Sequence, residues 1–313
     1  MFRQAFNLVT VALAGALFVG AAGAAEYPVS SVRLLVPANP GGSTDVNARL
    51  LAEYFGRHSD ADVTVVNQAA GGGVVAAQTL ASAEPDGSVL YVWHAALHTT
   101  NLFGQSPFAY TDLTPLATTA EYNDVYAVRG DAPYSSVPEL IEYADANPDE
   151  VTIGSQFGGT TQVKGDALNA AAGGTMRIVD AGGESDRITT LLGGQVDVIS
   201  MSVANAQQYA ETGQMKVLGV INEQPDPFVE DWPTVTSQGV DISFPLVFTV
   251  YGPPGMSQET IDAFAAVLAE MEADPAYHEA LRQASQVPAI RGPEETAKFL
   301  ESELQFVDSL VEN

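Results

Sequence analysis

The sequence predicts an α/β protein made of two lobes around a shared cleft. Short β-branched runs alternate with longer amphipathic stretches along the chain, which is the signature of α/β architecture. The segment 26–313 is longer than one hydrophobic core usually serves, so two lobes are expected. A glycine-rich loop joins a predicted strand to a predicted helix near residue 40 and again near residue 157. Two lobes that each direct a helix N-terminus at one cleft explain this pair of loops.

Residues 1–25 have the features of a cleaved secretory signal peptide. A positive start is followed by an apolar run from Val9 to Val19 and by the small residues Ala22-Gly23-Ala24. The run is too short for a spanning helix of about 20 apolar residues, and no later segment reaches that length. A buried N-terminal helix is the alternative. We expect an exported, periplasmic chain without direct membrane anchoring.

The first half of the chain alternates predicted strands and helices. The first helix repeats apolar residues at Val46, Leu50 and Tyr54, and a glycine triplet opens the second helix, which runs through Leu80. The predicted strands are 32–36, 62–66, 88–93 and 124–128.

The second half continues the pattern. Ser135-Ser136 followed by Pro138 predicts a helix start. One predicted strand begins at Val151, and three others span 195–199, 215–221 and 244–250. Two C-terminal helices are predicted at 258–271 and 293–311. We expect the chain to cross to the second lobe near Asp124 and to return near Phe248. Lobe 1 is then 26–123 with 249–313, and lobe 2 is 124–248.

The charge of the protein excludes several classes of partner. The chain has 12 Lys and Arg against 39 Asp and Glu, a net charge of −27. Nucleic acid and anionic lipid are excluded, because binding them needs clustered cations. The acids are spread along the chain, which favours a solvated surface suited to high salt. The absence of cysteine excludes a disulfide framework, thiol catalysis and an N-terminal lipid anchor.

The loop between the first strand and the first helix is the strongest candidate for a binding site. Its residues are Pro40, Gly41, Gly42, Ser43, Thr44 and Asp45. A helix N-terminus has unpaired backbone N–H groups and attracts anions, and glycine lets a ligand come close. Asp45 would repel a carboxylate, so we expect it to hydrogen-bond back to the loop. An ordinary capped turn is the alternative interpretation.

A second loop has the same character. Its candidate residues are Ser155, Gln156, Gly158, Gly159 and Thr160. Paired with the first loop in a two-lobed chain, it becomes half of a clamp. His94 is a candidate polar residue of the cleft, and Ser200 and Ser202 complete the predicted ligand-binding set.

Motifs for enzymes and metals are weak. The stretch 71–76 fits a relaxed dinucleotide pattern, but it follows the second strand, and helix packing explains it as well. His94 and His98 are four residues apart and could hold a metal, but no H-E-x-x-H motif is present. No nucleophile elbow or phosphate-binding loop exists. We predict no catalytic residue, no metal and no cofactor.

Short motifs in a fixed order resemble one known family. Val36-Pro37 with the stretch 40–45 is similar to its opening signature, and Leu191-Leu192-Gly193-Gly194-Gln195-Val196-Asp197 is similar to its most recognisable internal block. Further matches are Pro85-Asp86-Gly87, Gly158-Gly159-Thr160, Pro233-Thr234-Val235 and Pro253-Pro254-Gly255. The chain resembles the receptors of tripartite tricarboxylate transporters, also called Bug-type solute-binding proteins, over nearly all of segment 26–313.

The resemblance implies a two-lobed periplasmic binding protein of type 2, with a hinge and an interlobe cleft. It implies that loops 40–45 and 155–160 grip a carboxylate with backbone amides, assisted by ordered water. It also implies delivery of the ligand to integral membrane subunits of a transporter, by a receptor that we expect to be a monomer.

The chain departs from the family's pattern at two places. Gln162 stands where many relatives have histidine, and Ala181-Gly182 where many have tyrosine and lysine. Two other functions stay open: an exported enzyme that uses His94 on a sugar or ester, and an orphan sensor for a signalling partner.

Overall fold

The computed structural model describes residues 26–311, with side chains through Asp308. The predicted signal peptide 1–25 lies outside this range. Eleven strands and ten helices are found in the described part. The strands are β1 (Ser31–Val36), β2 (Asp62–Asn67), β3 (Val89–Trp93), β4 (Thr114–Tyr122), β5 (Asp124–Arg129), β6 (Thr152–Ser155), β7 (Arg177–Asp180), β8 (Val198–Ser202), β9 (Met215–Val220), β10 (Leu246–Gly252) and β11 (Val287–Arg291). The helices are α1 (Ser43–His58), α2 (Val74–Ala81), α3 (Ala96–Leu102), α4 (Val137–Ala146), α5 (Thr160–Ala171), α6 (Glu184–Leu192), α7 (Val203–Glu211), α8 (Gln258–Glu272), α9 (Pro275–Gln283) and α10 (Pro293–Val311).

The first sheet has six strands in the order β11-β4-β10-β3-β1-β2. β1 is parallel to both β2 and β3, whereas β10 runs antiparallel to β3 and to β4. The sheet's buried side chains include Leu34, Val92 and Phe248, which pack against apolar side chains of α1 and α8 such as Phe55 and Phe264. Burial of this apolar surface stabilises the first lobe.

The second sheet has five strands in the order β7-β6-β8-β5-β9. β6 is parallel to β7 and β8, and β5 is antiparallel to β8 and β9. Because the carboxyl ends of β6 and β7 lie together, the loops that follow them open at the same edge of the sheet.

The chain passes between the sheets where β4 ends at Tyr122 and β5 begins at Asp124, and it is back in the first sheet at Leu246. The lobe boundaries 26–123, 124–248 and 249–313 stay a prediction. The two-lobed α/β architecture is confirmed. No helix within residues 26–311 is both long and apolar enough to cross a bilayer.

Two predicted strands are displaced along the sequence. The strand predicted at 195–199 is observed as β8, because Gly194 has a φ of 69° and the Asp197 carboxylate accepts the Thr152 N–H at 2.9 Å. These two residues therefore make the turn from α6 into β8. The strand predicted at 244–250 is observed as β10, two residues later.

Candidate functional site

A cavity of about 390 Å³ lies between the two sheets, a size typical of small-molecule sites. Its wall combines the ends of β1 and β3 from the first lobe with the starts of α5 and α6 from the second. The lining residues include Asn39, Gly42, Ser43, Thr44, Gly72, Trp93, His94, Gln105, Tyr122, Asp124, Gln156, Phe157, Gly159, Thr160, Asp180, Gly182, Gly183, Glu184, Asp186 and Arg187.

The first loop is held in shape by Asp45. Gly41 has a φ of 91°, and Gly42 is the extended N-cap of α1. The Gly41 N–H donates to Asp45 Oδ2 at 3.0 Å, and Asn67 donates to Oδ1 at 2.9 Å. Arg49 donates to both carboxylate oxygens. Asp45 therefore faces its own loop, as expected, and does not line the cavity.

Burial raises the pKa of Asp45, but the hydrogen bonds from Arg49, Gly41 and Asn67 outweigh it, so the pKa lies below its usual value. The carboxylate is therefore ionised at neutral pH, and its charge is balanced inside the loop.

Asp45→Asn is expected to weaken carboxylate binding by less than tenfold, because asparagine keeps an acceptor for the Gly41 N–H. The loss of the charged pair with Arg49, whose side chain is largely exposed, should cost about 0.5–1 kcal/mol of unfolding free energy. Titration calorimetry and urea unfolding measure the two effects. Binding that becomes more than tenfold tighter, about 1.4 kcal/mol, would show that Asp45 repels the ligand directly.

The second loop repeats the geometry of the first. Gly158 has a φ of 77°, and Gly159 is the extended N-cap of α5. The Gly158 N–H donates to Gln162 Oε1 at 2.7 Å, and the Gln156 N–H donates to Thr161 Oγ1 at 2.8 Å. In both loops a side chain four residues beyond the first glycine accepts that glycine's N–H. The accepting side chain is charged in the first loop (Asp45) and neutral in the second (Gln162).

A third loop of this type was not predicted. Gly182 has a φ of 72°, and Gly183 is the extended N-cap of α6. Asp186, four residues beyond Gly182, lies beside it. The three loops share the pattern Gly-Gly-x-Ser/Thr-Asp/Gln, at 41–45, 158–162 and 182–186. That shared pattern is the signal that could have revealed the third loop from the sequence.

Three helices start at the cavity with N-caps that have no side-chain hydrogen bond. α1, α5 and α6 begin at cavity-lining glycines, and none has a side-chain hydrogen bond at its N-cap. Four helices that begin outside the lining, α4, α7, α8 and α9, are each capped by a serine or aspartate side chain, whereas α2 and α3 begin at Gly73 and Ala95 beside the cavity and also lack a side-chain cap. The cavity thus receives N–H groups and positive dipole ends that no cap side chain satisfies, which is an arrangement suited to anions.

His94 lines the cavity as a neutral imidazole. Its Nδ1 accepts the Ala96 N–H at 3.2 Å, which leaves Nε2 as the protonated donor. Burial lowers the pKa of His94 to about 3, and the nearby charge of Lys164 acts in the same direction. A neutral N–H donor in the cleft can bind a carboxylate oxygen.

The low pKa of His94 predicts a pH dependence of stability. The unfolded chain takes up this proton near pH 6.5 and the native protein only near pH 3. Between these values the unfolded state binds more protons, so stability falls as pH falls, by at most about 1.4 kcal/mol per pH unit. The unfolding free energy, measured by urea unfolding at several pH values, should therefore decrease less between pH 7 and pH 5 in His94→Gln than in the wild type. An equal decrease of the unfolding free energy in both proteins would contradict a neutral, buried His94.

The predicted site residues divide into two groups. Those that line the cavity are Gly42, Ser43, Thr44, His94, Gln156, Gly159 and Thr160. Those outside its lining are Pro40, Gly41, Asp45, Ser155, Gly158, Ser200 and Ser202. Ser155 donates to the Thr161 carbonyl, and Ser202 caps α7 and donates to Glu184. The cavity residues that sequence reasoning missed include Tyr122, Asp124, Glu184 and Arg187.

The two histidines at 94 and 98 belong to separate environments. His98 is buried and pairs with Glu303 of α10 at 3.0 Å, whereas His94 lies at the cavity. Within the described residues no group of three metal-ligating side chains is found. The glycine triplet packs as expected at Gly73, against Trp93 and Pro37, but Gly72 lines the cavity.

A family model described as the tripartite tricarboxylate transporter family receptor matches residues 47–313. The chain belongs to this family. A UPF0065 protein of Bordetella pertussis is 26% identical over 302 residues, covering 95% of this chain and 93% of the relative. Protein BugT of the same organism is 24% identical over 302 residues, covering 92% of each.

Solved structures share the fold of this receptor. The periplasmic binding protein BugD has a TM-score of 0.80 at 24% identity, covering 91% of this chain and 98% of BugD. An R. palustris protein solved with adipate has a TM-score of 0.84 at 24% identity, covering 91% and 97%. MatC from Rhodopseudomonas palustris, with bound malate, has a TM-score of 0.80 at 23% identity, covering 91% and 100%. The chain is a solute-binding receptor of this family and not an enzyme.

Proposed function

We propose that this receptor captures a small organic carboxylate and delivers it to the integral membrane subunits of a tripartite tricarboxylate-type transporter. The observation that carries the proposal is the meeting of three helix N-termini without cap side chains, from both lobes, at one cavity. Backbone N–H groups at helix starts bind anions without a basic side chain. Relatives of this fold bind adipate and malate.

Contacts across the cleft support closure around the ligand. Asn39 of the first lobe donates to Asp186 of the second at 3.5 Å. The Glu184 carboxylate lies 3.5 Å from the position that a Cβ on Gly42 would take, and Gln105 contacts Gly158. A ligand that touches loops of both lobes favours this closed form over an open one. The crossing at 123 and the return near 248 are the proposed hinge segments.

A thermal-shift screen of mono-, di- and tricarboxylates tests the proposal. A carboxylate at about 100 times its dissociation constant stabilises the native state by roughly 2.7 kcal/mol, which raises the midpoint by several degrees. Recovery of the ligand unchanged and in stoichiometric amount is expected. If no carboxylate raises the midpoint and a neutral sugar does, the proposal is wrong.

The exported state is part of the proposal. Cleavage of residues 1–25 by a signal peptidase would release a monomeric receptor into the periplasm. Mass spectrometry of the mature protein measures the cleavage directly, and an intact N-terminus on the secreted chain would contradict it.

We also propose adaptation to salt. The net charge of −27 makes the compact state self-repulsive at low ionic strength, and salt screens this repulsion. The melting temperature should rise when sodium chloride is increased from millimolar to molar concentration. A melting temperature that stays constant or falls as salt is added would contradict the proposed adaptation.

A further inference from the structure

Arg187 has an unusual position for a charged side chain. It lies in the first turn of α6, it is only 4% exposed, and it lines the cavity between the lobes. Arginine is rarely buried to this degree unless it is paired. The groups that contact the guanidinium therefore show whether its charge is already paired within the protein.

The Arg187 guanidinium is held in place by backbone carbonyls. Nε and one terminal nitrogen donate to the Ser200 carbonyl, each at 3.2 Å, and the other terminal nitrogen donates to the Gly182 carbonyl at 2.9 Å. A guanidinium has five N–H donors. These three bonds leave one N–H on each terminal nitrogen, a pair of donors spaced to match a carboxylate.

No carboxylate of the described residues forms an ion pair with Arg187. Two acids near it already accept hydrogen bonds from the protein, Glu184 through one of its two oxygens. Glu184 Oε1 accepts the N–H and the hydroxyl of Ser202, at 2.8 and 2.7 Å, and Asp124 pairs with Lys164 at 2.6 Å. Burial lowers the pKa of Arg187, and the more distant charges of Glu184 and Asp124 oppose this effect. The guanidinium is positioned and buried, and it lacks a direct counter-ion.

The other acids of the cavity wall are also occupied by protein donors. Asp180 accepts the N–H groups of Phe157 and Gly182, both at 3.3 Å, and Asp186 accepts from Asn39. One carboxylate offers about four acceptor sites. Three helix starts, the His94 N–H and two guanidinium N–H groups provide more donors than a single carboxylate can use. The surplus fits a ligand with a second negative group.

We propose that Arg187 is the counter-ion for a second carboxylate of the ligand and thereby selects diacids over monoacids. This inference rests on the proposed function, because it assumes that the cavity binds a carboxylate. The N-termini of α1 and α5 hold one carboxylate of the ligand. The two free N–H groups of Arg187 bind the other in a bidentate pair, which gives geometric selectivity as well as affinity.

The test compares diacids with their half-amides on matched variants. Succinate, malate and adipate are titrated beside succinamate, malamate and adipamate, in which one carboxylate is a neutral amide. The wild type should prefer at least one diacid over its half-amide by 100-fold or more. In Arg187→Met this preference should fall below tenfold, while affinity for the half-amide changes less than threefold. Arg177→Met, which removes an exposed charge from the same lobe, should keep the full preference.

Each other outcome gives a distinct conclusion. Diacid binding with an unchanged preference in Arg187→Met would overturn the role of Arg187 and leave the proposed function standing. Equal losses for diacid and half-amide would overturn it too, since they indicate a structural role only. If no carboxylate binds the wild type, both proposals fail. Should Arg187→Met not fold, Arg187→Lys replaces it: lysine cannot form the bidentate pair, so the preference should fall at least tenfold, and retention of the preference would overturn the proposal.

Discussion

Gly42→Val is expected to abolish carboxylate binding, a loss of more than 100-fold, while the protein stays folded. Gly42 has a φ of −81° and a ψ of 167°, a conformation that valine adopts readily. Its Cβ would meet Glu184 across the cavity at 3.5 Å, so the two methyl groups would fill the space before the α1 N-terminus. The ligand would be excluded from the helix start and the lobes could not close.

Two further valine variants make this result specific. Gly159→Val places the same side chain at the α5 N-terminus in the opposite lobe, and it should have the same effect on binding. Gly73→Val is the control for packing: Gly73 has a φ of 95°, and its Cβ would collide with the Trp93 ring and lie 2.7 Å from Pro37. Gly73→Val should therefore have a lower unfolding free energy, and not a lower ligand affinity alone. Near-normal affinity in both cleft variants, measured by calorimetry, would place the site elsewhere.

Lys164→Met is expected to lower the unfolding free energy by about 3–5 kcal/mol. Lys164 of α5 is buried, and its Nζ lies 2.6 Å from Asp124 Oδ2 at the start of β5. The Phe244 ring lies 5.3 Å from the same ammonium. Removal of the lysine leaves the Asp124 carboxylate at the cavity wall without its partner, which is more costly than losing both charges together.

A double variant distinguishes the cost of the unpaired charge from the cost of lost packing. Lys164→Met with Asp124→Leu removes both charges, and most of the stability should return. Urea unfolding of the two single variants and the double variant gives the coupling energy. If the double variant is as unstable as the sum of the two single variants, the pair contributes nothing beyond packing.

The first two glycine loops at the cavity could be predicted because their determinants are local. At Gly41-Gly42 an apolar strand, two glycines and an amphipathic helix follow within one short stretch of sequence, and Asp45 reaches back only four residues. The third loop has the same pattern, but the strand before it is β7, which has only four residues and is largely unburied. Without a recognised strand, the glycine pair at 182–183 was not identified as the start of a helix in the site.

The remaining cavity residues depend on pairings between distant parts of the chain. Tyr122 lies at the end of β4, where Thr and Ala residues give no clear apolar alternation, and β4 is placed only by pairing with β10. Arg187 appears from sequence to be one more charge on a helix surface. It is buried because it donates to the Ser200 carbonyl of β8. The strand predicted from the sequence ends at residue 199 and so does not contain Ser200.

The pairing of β4 with β10 also bears on the order in which the molecule assembles. β10 lies between β4 and β3 in the first sheet, yet it follows the whole second sheet in the chain. The strands of the second sheet all come from the continuous segment 124–220, so their contacts close shorter loops and form at lower entropic cost. We expect the second lobe to reach its native state while the first still lacks its central strand. The lobe that begins the chain is then the last to be completed.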